Sequence, residues 1–142
     1  MDRRVVITGI GLVSPVGVGR EATWQSLLAG RSGVGRITAF DTEGFASRLG
    51  AEVLDFDPGA VVDAKDRNKF DRYAQFALVA AEEAMAHAGL LAEPPDGERM
   101  GVIIGSGIGG MVTFEENHRA LVERGPRRVS PFFIPMMIGD IA

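Results

Sequence analysis

The sequence contains no cysteine. That excludes a disulfide framework, thiolate metal ligands and a cysteine nucleophile within these 142 residues. Only two histidines, His87 and His118, are present, which leaves little for general-base or metal chemistry. No apolar run approaches the roughly 18 residues of a membrane helix, and the short run after Met1-Asp-Arg-Arg is too brief for a signal peptide. The expectation is a soluble, cytoplasmic protein with no membrane partner. Positive charge is also in short supply: 15 Lys and Arg against 19 Asp and Glu give a formal net charge of −4, which speaks against nucleic acid as the main partner.

Glycine, by contrast, is abundant at 19 residues, and hydrophobic residues make up 46%. A length of 142 residues is enough for one domain with its own core. The apolar runs Val5–Ile7 and Met100–Ile104 read as buried strands, each closed by glycines. Short strands are expected near Gly35–Thr38 and Ala51–Leu54. Trp24, Leu27 and Leu28 keep helical spacing within Arg20–Ala29. A longer helix is expected from Asp71 to Ala88, with Ala77, Ala80, Ala81, Ala84 and Ala88 on one stripe, so a neighbouring element should approach it closely. Met111–Arg124 is amphipathic and is broken by Gly125-Pro126, and Ser130-Pro131 resembles an N-cap followed by proline at the first position of a last helix. The alternation indicates α/β layering. Two strong strands cannot complete a sheet covered on both faces, and with no helix stop before Ala142 the sequence reads as a fragment.

Gly105, Gly107 and Gly110 match G-x-G-x-x-G after an expected strand and before a helix, which is the context for dinucleotide binding. The acidic residue at the right distance, Glu123, lies in a helix instead of ending the next strand, so no βαβ unit closes. The simpler reading is a sharp backbone turn beside a cavity. There is no phosphate loop and no Gly-x-Ser-x-Gly elbow. The histidines read as structural: His87 lies four residues after Glu83 near a helix end, and His118 has no second ligand set.

Met1–Gly17, Trp24–Gly33 and Phe40-Asp41, with the more specific Gly105–Gly110, Glu115–His118 and Gly125–Pro135, resemble the β-ketoacyl-[acyl carrier protein] synthases. The resemblance spans essentially the whole sequence, and within the family is greatest to the type II elongating enzymes of fatty-acid synthesis. It implies an α/β fold, the N-terminal part of a thiolase-like αβαβα layered fold with an incomplete mixed sheet, in which residues 1–142 form a portion of the first half. It further implies a homodimer, an acyl carrier protein as partner, no cofactor, and decarboxylative condensation of an enzyme-bound acyl chain with malonyl-carrier protein. The family uses a cysteine nucleophile, two histidines and a nearby lysine; none of those positions falls in this sequence, so no catalytic residue is carried over and the sequence alone should be inactive. Two lesser sites match. Ile108, Phe133 and Ile134 correspond to residues lining the acyl tunnel. Lys65, Arg67 and Lys69, with Arg127 and Arg128, correspond to basic residues that dock the carrier, although Asn68 stands where the family often has Arg. Two other readings remain open: a non-catalytic partner like a chain-length factor, and a nucleotide-binding α/β domain.

Overall fold

The computed structural model describes residues 4–59, 61–93 and 96–139. Its contacts divide into two units, Met1–Asp57 with Ala80–Glu93, and Pro58–Val79 with Pro94–Ala142.

In the first unit, β1 (Val13–Ser14) and β2 (Gly17–Val18) form a tight antiparallel hairpin, pairing Val13 with Val18 and Ser14 with Gly17. Helix α1 (Arg20–Leu28) follows and turns a polar face to the hairpin. The Ser26 hydroxyl donates to the Val16 carbonyl at 2.6 Å, and the Thr23 hydroxyl to Gly17 at 3.0 Å. The helix was expected, but its apolar stripe does not face inward: Trp24, Leu27 and Leu28 are exposed. The hairpin supplies unpaired carbonyls, and hydroxyls satisfy them where leucines cannot.

β3 (Val34–Arg36) pairs antiparallel with β4 (Leu49–Ala51), Gly35 opposite Gly50, close to where short strands were expected. Beyond the pair, Glu52 accepts hydrogen bonds from the Thr38 backbone N–H, the Thr38 hydroxyl and the Ala39 backbone N–H, all at 2.9 Å. These donors, the Thr38 backbone first, hold the Glu52 carboxyl below the usual glutamate range. Because the folded form binds its proton less tightly than the unfolded form, this support is present above the ordinary glutamate range and is lost as pH falls through the lowered folded value. The Thr38 and Ala39 amide shifts should therefore titrate together, with a midpoint below that of an unstructured glutamate. Shifts that stay constant through the acid range would contradict it.

Helix α2 (Arg72–His87) lends its C-terminal half to this unit. Part of the alanine stripe, around Ala80 and Ala84, is met by backbone as expected, while Ala81 is exposed. A Cβ on Gly9 would lie 2.1 Å from the Ala84 carbonyl oxygen, and one on Gly11 would lie 1.9 Å from that of Ala80. Only glycine against alanine permits this approach. Two polar residues of α2 fasten the same segment: Glu83 accepts the N–H groups of Leu12 (2.9 Å) and Arg20 (2.6 Å), and His87 Nδ1 accepts that of Ile10 (3.1 Å).

The second unit contains the N-terminal half of α2, α3 (Met111–Arg124) and α4 (Phe133–Met137). Its buried apolar residues are small: Val62, Ala74 and Ala120. α4 starts later than the Ser130-Pro131 signal suggests. The Ser130 hydroxyl accepts from the Phe132 N–H at 3.1 Å, which closes a turn ahead of the helix instead of capping it.

The two strands expected at Val5–Ile7 and Met100–Ile104 are not formed. Neither segment belongs to a sheet, and Val5, Ile7 and Ile103 are 94%, 83% and 99% exposed. β-branched composition favours a strand only where another strand can take its backbone hydrogen bonds, and no sheet among the described residues reaches either segment.

Candidate functional site

The glycine-rich turn leads into α3 and forms one wall of an apolar cavity of about 500 Å³. Gly109 has φ +83°, and a Cβ there would lie 2.2 Å from the Met137 carbonyl oxygen. A Cβ on Gly110 would lie equally close to the Met136 carbonyl. Glycine is required at both positions because the end of α4 packs directly on the turn. The donors at the end of the turn, next to the helix, are engaged: the Gly109 N–H bonds the Ser106 hydroxyl at 2.9 Å and the Gly110 N–H bonds the Met137 carbonyl at 2.8 Å. A bound pyrophosphate needs such N–H groups free, so the turn gives no support to a nucleotide site.

Ile108, Met111, Phe114, Met137 and Ile138 line the cavity. Of the tunnel residues expected from sequence, Ile108 stands on the rim, 73% exposed. Phe133 is half-buried behind Phe114, with ring centroids 6.2 Å apart. Ile134 is exposed and is not part of the lining. Met111, Phe114, Met137 and Ile138 were not anticipated; the amphipathic stripe of α3 was the signal that could have found Met111 and Phe114. The chemistry of the lining suits an aliphatic chain, with no charged side chain on it.

A second, polar cleft of about 440 Å³ lies in the same unit, lined on one side by Arg67, Asn68 and Arg72 and on the other by Glu116, Asn117 and Ser130. The basic residues singled out from the sequence, of which only Arg67 lines this cleft, differ in how they are held. Lys65 pairs with Asp63 at 3.3 Å and Lys69 with Asp66 at 2.6 Å. The hydrogen bond from Lys69 holds the Asp66 carboxyl below its ordinary range. The Arg67 guanidinium donates to the Gly59 carbonyl at 2.9 Å and to that of Val62 at 3.4 Å. Arg127 and Arg128, on the turn Pro126–Arg128, are exposed and have no ion pair among the described residues. The Asn117 side chain fixes the segment that follows, accepting the Ser130 N–H at 2.8 Å while donating to Thr113.

Neither histidine forms a catalytic pair. The Arg20 guanidinium lies against Nε2 of His87, and the His118 ring stacks on Phe114. The described residues include no cluster of metal-ligating side chains, and no helix among them is long and apolar enough to cross a membrane.

Residues 2–142 match the family model described as beta-ketoacyl synthase, N-terminal domain. The 3-oxoacyl-[acyl-carrier-protein] synthase 2 of Coxiella burnetii is 51% identical over 140 residues, covering 99% of this chain and 34% of that protein. The enzyme of the same name from Staphylococcus aureus (strain COL) is 47% identical over 141 residues, with the same coverage. Among solved structures, a beta-ketoacyl synthase from Burkholderia phymatum STM815 superposes with a TM-score of 0.77 at 30% identity, over 99% of this chain and 35% of that one. The ishigamide ketosynthase/chain length factor gives 0.75 at 32%, over 96% and 34%. A type II PKS acyl-carrier protein in complex with its ketosynthase, AntDE:AntF, shares the fold with a TM-score of 0.71 at 21% identity, over 96% and 35%. The chain thus spans about a third of the length of the curated relatives it matches. These likenesses, which run almost from end to end of the sequence, establish the α/β thiolase-like fold and show that the chain belongs to the beta-ketoacyl synthase family, matching its N-terminal domain.

Proposed function

We propose that these residues are the N-terminal portion of the first thiolase-like half of a fatty-acid chain-elongating 3-oxoacyl-[acyl-carrier-protein] synthase, and that they supply its acyl slot and part of its carrier dock. The observation that carries the reading is the apolar cavity beneath the glycine turn, together with about 50% identity to synthases of that name. In the intact enzyme a cysteine outside this chain would hold the acyl group as a thioester. Malonyl-carrier protein loses carbon dioxide, its α-carbon attacks the thioester carbonyl, and the cysteine thiolate leaves. This chain's part is to exclude water from the alkyl tail and to fix its path. The exposed runs Val5–Ile7 and Val102–Ile104 are surface that the rest of a cytoplasmic homodimer would cover. A chain-length-factor-like subunit is the second reading, favoured by the ishigamide likeness but at lower identity than the elongating enzymes.

The carrier protein as partner is supported by the names of the curated relatives and by the carrier-bound structural neighbour. Lys65, Arg67, Lys69, Arg127 and Arg128 are its proposed contacts, and their electrostatics rank them. The lysines are half neutralised by Asp63 and Asp66, and Arg67 is spent on loop carbonyls, whereas Arg127 and Arg128 present uncompensated charge. Reversing Arg127 and Arg128 to Glu in the intact synthase should weaken carrier binding by roughly tenfold or more at low salt and flatten its salt dependence. Reversing Lys65 and Lys69 should cost less. Titration calorimetry at two ionic strengths decides it; an affinity indifferent to both pairs would remove these residues from the dock.

A further inference from the structure

The first turn of α3 has a donor problem that its own sequence cannot solve. Its N-cap is Gly110, which has no side chain to accept the free N–H groups of the helix start. A serine or aspartate cannot stand there, because a Cβ would lie 2.2 Å from the Met136 carbonyl oxygen. The acceptor comes from 42 residues away: Oδ2 of Asp71 accepts the Thr113 N–H at 3.0 Å and the Thr113 hydroxyl at 2.5 Å. Thr113 is the third residue of α3, the position an N-cap side chain ordinarily serves. Both side chains are buried, at 7% and 4% exposure, and the second carboxyl oxygen, Oδ1, accepts the Tyr73 N–H at the start of α2 at 3.4 Å, so the group is out of water with its bonds made within the protein.

We propose that Asp71 is a positioning residue for the acyl chain, capping α3 from outside and thereby setting the width of the apolar cavity. The inference rests on the acyl-binding reading above. Asp71 lines the polar cleft and not the apolar cavity, so it acts through α3. The first turn of that helix carries Met111 and Phe114 into the cavity wall. The opposite wall is tied to the same stretch of α2, because the Tyr73 hydroxyl, two residues on, donates to the Ile138 carbonyl. Residues at the start of α2 therefore hold both sides of the slot. Without the cap, the Gly109-Gly110 turn and the Met111–Phe114 wall lose their anchor, and the cost falls on chains long enough to reach them.

The test uses the intact synthase containing this sequence, with acyl-carrier substrates of increasing length and the variants Asp71→Ala, Asp71→Asn and Thr113→Val. Asp71→Ala should lower kcat/KM by roughly tenfold or more for long chains, mainly through KM, and by less than about threefold for short ones. Asp71→Asn, which keeps an oxygen for both Thr113 donors, should restore most of the loss. Thr113→Val preserves shape and removes only the hydroxyl bond; it should shift the length profile in the same direction by a smaller factor, and it serves if Asp71→Ala does not fold. A length profile unchanged in Thr113→Val, or an equal loss at every length in Asp71→Ala, overturns the inference while the acyl-binding reading stands. A wild-type enzyme that elongates no acyl chain sinks that reading and the inference with it.

Discussion

Purified residues 1–142, given acyl- and malonyl-carrier protein, should form no 3-oxoacyl product above a no-protein control. An intact enzyme would be expected to turn over at a rate on the order of 10 s⁻¹, so the expected contrast is many orders of magnitude. The reason is chemical. Condensation through an acyl-enzyme needs a nucleophile that can carry the chain as a thioester, and the sequence has no cysteine. A hydroxyl substitute would need a base, yet among the described residues no serine or threonine hydrogen-bonds a histidine. His87 is held between Ile10 and Arg20, and His118 is stacked on Phe114. Addition of the chain to an intact synthase should likewise leave the specific activity of that synthase unchanged. Product formed by a preparation shown by mass spectrometry to be free of intact enzyme would contradict the assignment.

What could be read from the sequence follows from the range of the interactions involved. Helices α1, α2 and α3 were legible to within a residue or two because their periodicity and their stops, Gly30, Gly89 and Gly125, are local. The close approach to the alanine stripe was legible in part, since small side chains let backbone come near; Gly9 and Gly11 meet it at Ala84 and Ala80. Burial of the apolar runs was not legible. Val5–Ile7 and Met100–Ile104 have the composition of strands, but pairing depends on a partner strand that periodicity cannot reveal. The stripe of α1 misled for a related reason: Thr23 and Ser26 answer carbonyls of a hairpin that folds back from upstream. At the site, the glycine turn and Ile108 were visible as motif. Asp71 was not, because it looks like an ordinary residue of a helix start until its partner, 42 positions away, is known.

Ile108→Phe in the intact synthase should change which acyl chains are accepted more than it changes the rate with the shortest ones. Ile108 stands at the rim of the cavity beside Met111 and Phe114 and is 73% exposed. A phenyl ring there fills room that a long chain needs. Overfilling a packed apolar site costs about 1–3 kcal/mol, which is roughly tenfold to over a hundredfold in an equilibrium constant. Chains too short to pass the ring do not meet it and should keep their rate to within about a factor of two or three, since their contacts are unaltered. Measuring kcat/KM across a series of acyl lengths for wild type and Ile108→Phe is the most direct test that residues 105–139 form the acyl slot of a ketoacyl synthase. The account predicts two curves that coincide at short lengths and diverge progressively as the chain grows. Parallel curves, with the same loss at every length, would contradict it and make Ile108 a residue of general packing.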